Sequence, residues 1–209
     1  MGANPTATGK PATLTDYLRV HLQHFLDPLG AAINRLGIQP NTVTLLGLAG
    51  NLVGAILLSQ GQLVLGGLIV VLMGPIDALD GVMARLREEP SDFGGFVDSV
   101  TDRYSELTVL GGLMLYYLSR EDALMSAVVF AAAAGSVLVS YVRARGEALG
   151  FAVKGGVLTR VERYLVLGPS LLLQIPAVGV SIIALLANLT AFQRILIVRR
   201  QARDRTIKD

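Results

Sequence analysis

The sequence contains no cysteine, which removes disulfides and thiolate metal sites from consideration. Charge is scarce as well: Asp, Glu, Lys and Arg make up 16% of the 209 residues, against 52% hydrophobic residues. The few charges leave long gaps. None falls between Arg35 and Asp77 or between Arg163 and Arg194, and only Arg143 and Arg145 interrupt the run from Asp122 to Glu147. A membrane helix needs about 20 predominantly apolar residues, and these gaps accommodate several. With a mean hydropathy of +0.56, the chain reads as an integral membrane protein rather than a soluble domain. No convincing internal repeat appears, which disfavours a transporter built from inverted halves. Met1 to Pro11 lack an apolar core and are expected to be disordered, with no cleavable signal.

What is present is helical throughout. From Thr13 to Asp27, Leu14, Tyr17, Leu18, Leu22, Phe25 and Leu26 alternate at helical spacing with Asp16, Arg19, Gln23 and Asp27. Residues 12–39 therefore read as a juxtamembrane amphipathic helix in the membrane interface, with Thr13 and Asp16 as a capping pair and Pro28 as a kink or restart. An all-α bundle of six transmembrane helices follows over residues 40–198. The spans read as Thr42–Ser59, Gln62–Leu86, Gly94–Leu118, Ala123–Leu149, Thr159–Leu173 and Pro176 to about Val198. Residues 199–209 form a basic C-terminal tail. With six crossings both termini share one side, and of the 18 Lys and Arg residues all but Arg120 lie on that side or in the helix ends facing it. The positive-inside rule makes it the cytoplasmic face of the cell membrane. Gly47, Gly50, Gly54, Gly66, Gly67, Gly111 and Gly112 are small residues that let helices approach closely.

Four aspartates stand out in this apolar chain. Asp77 and Asp80 (i, i+3) share one helix face, as do Asp98 and Asp102 (i, i+4), with a turn at Glu88, Glu89, Pro90, Ser91 and Asp92 between the pairs. Antiparallel neighbouring helices would bring all four to one depth. Clustered anions require cations between them, and all-oxygen ligation without Cys or a nearby His favours magnesium or manganese. Two such ions would clamp a diphosphate. Arg85 is placed to pair with a phosphate oxygen, and Gly81 and Ala84 leave room for a nucleotide against the helix.

The spacing resembles the signature of the CDP-alcohol phosphotransferase family, D-x2-D-G-x2-A-R-x8-G-x3-D-x3-D. Asp77, Asp80, Gly81, Ala84, Arg85, Gly94, Asp98 and Asp102 fill every specified position. The resemblance implies transfer of a phosphatidyl group from a CDP-linked lipid, with CMP leaving. It implies Asp77, Asp80 and Asp98 as metal ligands, and Asp102 as metal ligand, general base, or both. Pro40-Asn41-x2-Thr44 is similar to a further segment of the family. Asn41 and Thr44 read either as lining of the nucleotide pocket or as a turn and helix cap. Family members are commonly homodimers, so a homodimer is implied as well.

The acceptor side is basic. Ser140-Tyr-Val-Arg143-Ala-Arg145-Gly-Glu147, then Arg160-Val-Glu162-Arg163, then Arg194 supply more guanidinium groups than nearby acids neutralise. Convergent arginines suit a phosphate monoester. These segments resemble the phosphatidylinositol-phosphate synthase branch of the family, which joins inositol 1-phosphate to CDP-diacylglycerol. That branch usually has Lys in place of Arg143 and Ala in place of Gly146. By this resemblance Arg143, Arg160 and Arg194 bind the acceptor phosphate, with Ser140 and Arg163 as neighbours. Glycerol 3-phosphate is the alternative acceptor, as in phosphatidylglycerophosphate synthase. An ion transporter is a distant third reading, since the opposite face offers only Arg120, Glu121 and Asp122. Nucleic acid is not an expected partner.

Overall fold

The computed structural model describes residues 14–87, 92–153 and 155–206, with side chains described from residue 25 to residue 205. The expected disorder of residues 1–11, the Thr13–Asp16 cap and the turn residues Glu88, Glu89, Pro90 and Ser91 lie outside the described residues. Seven helices account for most of the rest: α1 (Leu14–Arg35), α2 (Pro40–Ser59), α3 (Leu63–Leu86), α4 (Asp92–Leu118), α5 (Ala123–Ala148), α6 (Arg160–Leu172) and α7 (Pro176–Thr206). No strand occurs among the described residues.

Local chemistry sets several boundaries. α2 starts at Pro40 behind an extended Gln39, because proline has no N–H to satisfy and a φ already suited to a first turn. Asp122 caps α5 by accepting from the Met125 N–H at 2.9 Å. α1 runs through Pro28 as one helix. α7 continues well past Val198, so most of the basic tail extends that helix.

Four helices, α2, α3, α5 and α7, are long and apolar enough to cross a membrane. α4 carries Asp98, Asp102, Arg103 and Glu106 within its first 15 of 27 residues. α6 has 13 residues, or about 20 Å at the helical rise, short of a hydrocarbon core of about 30 Å.

Among the described residues the two aspartate-bearing helices share no extensive packing. α2 lies against both α3 and α4, α6 packs on α3 and α7, and α5 bridges α4 to α7. The antiparallel pairing expected from the sequence thus gives way to an arrangement mediated by α2. Glycine permits it: a Cβ at Gly112 would stand 2.4 Å from the Ala55 carbonyl oxygen, and one at Gly66 would stand 2.8 Å from that of Gly54. Backbones in such contact leave no room for a side chain. Gly111, by contrast, faces open space.

Leu58, Val70, Leu110, Leu113, Val129, Leu171 and Ile183 form the main core. A second cluster, Leu26, Val43, Leu79, Val82 and Met83, joins α1, α2 and the end of α3 that carries the aspartates. Outside, Leu46, Val53, Phe130, Leu185 and Phe192 are exposed, the distribution a lipid environment favours and water does not. α1 leaves Phe25 and Leu29 exposed while Leu26 is buried, and Leu36 just after it is exposed as well.

Candidate functional site

Asp77 and Asp80 occupy the last three turns of α3. Asp80 is buried and accepts from the Thr44 hydroxyl at 2.5 Å and from the Gly81 N–H at 2.5 Å. Charge-assisted bonds of this length fix a carboxylate's orientation. Gly47, one turn after Val43 on α2, makes space for Asp77: a Cβ there would lie 2.6 Å from Asp77 Oδ1.

α6 brings the matching cation. Its Tyr164 donates to the Val70 carbonyl and its ring covers Gly74, where a Cβ would meet Cε1 at 2.8 Å. Further along, Leu171 sits on Gly67 in the same way. This packing fixes the register of α6 on α3, and Arg160, one turn before Tyr164, shares its face. Arg160 Nη2 stands 2.5 Å from Asp77 Oδ2 and 2.6 Å from Asp102 Oδ1. Three residues on, Arg163 is buried and donates to Glu106 through Nε at 2.6 Å and Nη2 at 2.9 Å. Long arginine side chains thus link α4 and α6. Asp77, Asp102, Arg160, Glu106 and Arg163 border a cavity of about 30 Å³.

The other two aspartates face a larger space. Asp80 and Asp98 border a pocket of about 500 Å³ that opens between α2, α3 and α4, a size typical of small-molecule sites. Asn41, Thr44, Gly81, Ala84, Arg85 and Gly94, the residues expected to bind the CDP-lipid, all line it. Arg87 lines it too. It donates to Asn34 Oδ1 at 2.7 Å and to the Ile38 carbonyl at 2.6 Å, fastening the end of α1 and the segment before α2 to α3.

Among the described residues no three acidic or histidine side chains gather around one point; Arg160 stands between Asp77 and Asp102 instead. The donor set nevertheless suits a hard divalent ion. Every candidate ligand atom is a carboxylate oxygen, and Asp98 lies near enough to act as a like charge on Asp77, Asp80 and Asp102. Arg160, with Arg103 at 3.8 Å from Asp102, offsets part of that repulsion.

The residues expected to form the acceptor pocket are only partly assembled. Arg194 is buried and donates to the Gly155 carbonyl at 3.0 Å and the Val139 carbonyl at 2.7 Å. Arg143 and Arg163 lie near enough to act on it as like charges. Arg143 is exposed and pairs with Glu147 at 2.9 Å. Ser140, one turn before Arg143 near the end of α5, is partly buried. Arg160 faces the aspartates. Glu106 and Arg87 were not anticipated. The four-residue step from Asp102 to Glu106 was the available signal for the first, whereas Arg87 carries no pattern that separates it from an ordinary helix-end cation.

The sequence pattern of the CDP-alcohol phosphatidyltransferase family matches residues 38–199. The chain belongs to that family. A phosphatidylinositol phosphate synthase of Streptomyces avermitilis is 33% identical over 220 residues, covering 97% of this chain and 89% of the relative. An archaetidylinositol phosphate synthase of Pyrococcus horikoshii is 34% identical over 179 residues, covering 85% and 93%. The crystal structure of Mycobacterium tuberculosis phosphatidylinositol phosphate synthase with CDP-DAG bound has a TM-score of 0.78 at 28% identity, covering 84% of this chain and 94% of that one. The same mycobacterial protein in complex with manganese and citrate gives 0.77 at 29% identity, covering 83% and 88%. This CDP-alcohol phosphatidyltransferase is therefore an enzyme of phospholipid synthesis, and its eight signature residues lie on α3 and α4.

Proposed function

We propose that this enzyme transfers the phosphatidyl group of CDP-diacylglycerol to inositol 1-phosphate, forming phosphatidylinositol phosphate and releasing CMP. The observation that carries the reading is the 500 Å³ pocket bordered by Asp80 and Asp98 and lined by the remaining nucleotide-side residues of the signature. Likeness over most of the chain to a phosphatidylinositol phosphate synthase and an archaetidylinositol phosphate synthase supports the choice of acceptor.

In the reaction the acceptor hydroxyl attacks the phosphorus that bears the lipid alcohol, and the bond from that phosphorus to the CMP oxygen breaks. Asp77, Asp80, Asp98 and Asp102 would hold Mg²⁺ or Mn²⁺, which supplies charge neutralisation to the diphosphate. Asp102 also takes the hydroxyl proton as base. Thr44 keeps Asp80 oriented through its 2.5 Å bond. Asn41, Gly81, Ala84 and Gly94 shape the nucleotide side, with Arg85 as a phosphate partner. Arg143, Arg160 and Arg194 bind the acceptor phosphate, with Ser140 and Arg163 beside them.

Residues 40–198 cross the cell membrane six times, with α4 and α6 added to the four long apolar helices and local thinning of the bilayer accommodating the short α6, and α1 lies in the interface with Phe25 and Leu29 toward lipid. Both termini and the site face the cytoplasm, by the distribution of Lys and Arg. Two copies associate as a homodimer, as the family resemblance implies.

The test is a substrate panel. Purified protein with Mg²⁺ and CDP-diacylglycerol is given inositol 1-phosphate, glycerol 3-phosphate or free inositol, and product masses are read by mass spectrometry. CMP release with phosphatidylinositol phosphate as product is expected for the first alone. Turnover of glycerol 3-phosphate in its place would overturn the acceptor assignment.

A further inference from the structure

The family match ends at residue 199, but α7 continues to Thr206, and its side chains beyond that point have work in the fold. Thr190, Arg194, Gln201 and Arg205 fall within about 60° of one another around the helix, so they share one face. That face holds the backbone between α5 and α6 at successive points. Thr190 Oγ1 accepts from the Leu158 N–H at 3.0 Å, and Arg194 Nε donates to the Gly155 carbonyl at 3.0 Å. Gln201 Nε2 donates to the Ala152 carbonyl at 2.8 Å while its Oε1 accepts from the Ala152 N–H at 3.0 Å. Arg205 donates to the Leu149 carbonyl at 3.2 Å and to the Gly150 carbonyl, with its guanidinium 4.2 Å from the centre of the Phe151 ring.

These contacts meet a need of the segment itself. The N–H groups of Leu149, Gly150 and Phe151 close α5 on the carbonyls of Arg145, Glu147 and Gly146, Gly150 turns the chain away in the left-handed region at φ 76°, and the carbonyls of Leu149 and Gly150 just past that end are the ones Arg205 meets. Arg205 supplies donors to that end and a positive charge where the helix dipole favours one. Gln201 satisfies both backbone groups of Ala152 at once. Downstream, Gly156 passes so close to α7 that a Cβ would meet Thr190 Cγ2 at 2.4 Å. The segment is therefore tied at its start by Gln201 and Arg205 and at its end by Thr190 and Arg194.

We propose that Gln201 and Arg205 are positioning residues for the acceptor side of the site. They fix the start of the α5–α6 segment, and so the Gly155 carbonyl that orients Arg194 and the last turns of α5 that carry Ser140 and Arg143. This rests on the acceptor assignment proposed above. Neither residue touches substrate; each acts through the backbone it holds.

The test uses the full-length protein with CDP-diacylglycerol, inositol 1-phosphate and Mg²⁺, comparing wild type with the Gln201→Ala/Arg205→Ala variant and with Arg205→Lys. In the double variant the KM for inositol 1-phosphate rises about fivefold or more, the scale expected from losing a few exposed hydrogen bonds. The kcat, the KM for CDP-diacylglycerol and the melting temperature stay near wild type. Arg205→Lys keeps the charge but not the paired donors, and shows an intermediate rise. Hydrogen exchange at the Ala152 amide accelerates in the double variant, while the Leu158 amide, held by Thr190, is unchanged. An acceptor KM equal to wild type overturns the proposal, as does an equal rise in both KM values with a loss of melting temperature. If the wild type does not use inositol 1-phosphate, the acceptor assignment fails by itself. Exchange at Ala152 then still decides whether Gln201 and Arg205 hold the segment, and unchanged exchange removes that hold.

Discussion

Arg160 on α6 and Asp77 on α3 meet at 2.5 Å, joining positions 83 residues apart in sequence. The same guanidinium nitrogen reaches Asp102 of α4 at 2.6 Å, so one cation draws together carboxylates from two helices that share no extensive packing. Arg160 is 37% exposed along its side chain and Asp77 only 8%. The pair therefore sits at a boundary, with the acid inside and the base reaching in from the rim. Opposite charges at such a depth attract more strongly than at a surface, and the attraction offsets part of the cost of gathering the aspartates.

Replacing Arg160 should expose both of its roles. In Arg160→Gln the charge competing for Asp77 and Asp102 is gone, so Mn²⁺ binding read by electron paramagnetic resonance tightens by about tenfold, the scale of one neighbouring charge at partial burial. The acceptor KM rises in the same variant because a phosphate partner is lost. Mn²⁺ affinity that stayed equal or fell would mean that Arg160 supports the acidic site rather than competing within it.

The aspartates on α4 separate by what each removal should spare. Asp98 borders the 500 Å³ pocket, and Asp98→Asn should lower turnover at least about a hundredfold, since a metal's charge stabilisation is worth several kcal/mol. Asp102 is buried beside Arg160. Asp102→Asn should abolish CMP release while leaving CDP-diacylglycerol binding within a few-fold of wild type. Equilibrium binding of the labelled lipid, measured beside CMP release, separates the two. Unimpaired turnover in Asp98→Asn would remove it from the ligand set.

Much of this site was legible because its chemistry is carried by fixed spacing. Eight residues of one signature, with Asn41 and Thr44 upstream, include the four aspartates and much of the lining of the 500 Å³ pocket, and charge-free runs located the long helices. What spacing does not encode is where a long side chain goes. By sequence, Arg160 reads as an acceptor-phosphate ligand and Arg163 as its neighbour. Only the register of α6 on α3, set by Tyr164 against Gly74 and Leu171 against Gly67, turns Arg160 to Asp77 and Arg163 to Glu106. Direct packing of α3 on α4 was likewise a natural expectation from chain order. It fails because glycines let α2 lie against both, a preference visible only when three helices are considered together.

Glu106 should matter more to the fold than to the chemistry. Arg163 is 3% exposed and Glu106 20% along the side chain. Glu106→Ala would leave a guanidinium buried without its counterion, which costs on the order of 3 kcal/mol at the lower end of the range for broken buried pairs. In a chain of this size that is a drop of about 10 °C in melting temperature, measurable by tryptophan-free methods such as light scattering or calorimetry. Glu106→Gln keeps one acceptor and should lose less. A melting temperature unchanged in Glu106→Ala would mean that Arg163 finds another partner.

Gly146, where the resemblance to the phosphatidylinositol-phosphate synthase branch leads one to expect alanine, sits in closely packed surroundings. A Cβ there would lie 2.4 Å from Val153 Cγ2 and 3.2 Å from Val198 Cγ2, and Val153 is fully buried. Two effects oppose each other in Gly146→Ala. Alanine is favoured over glycine within a helix by about 1 kcal/mol, whereas forcing a methyl into a filled space costs about 1–3 kcal/mol. The contact distance decides for the second, because a β-branched valine with no exposed surface has little freedom to withdraw. Gly146→Ala should therefore lower the melting temperature, and adding Val153→Ala should recover part of the loss beyond what the two changes give separately. If Gly146→Ala proved neutral or stabilising alone, Val153 would not fill the space against α5, and the anchoring of the segment that follows α5 would need another cause.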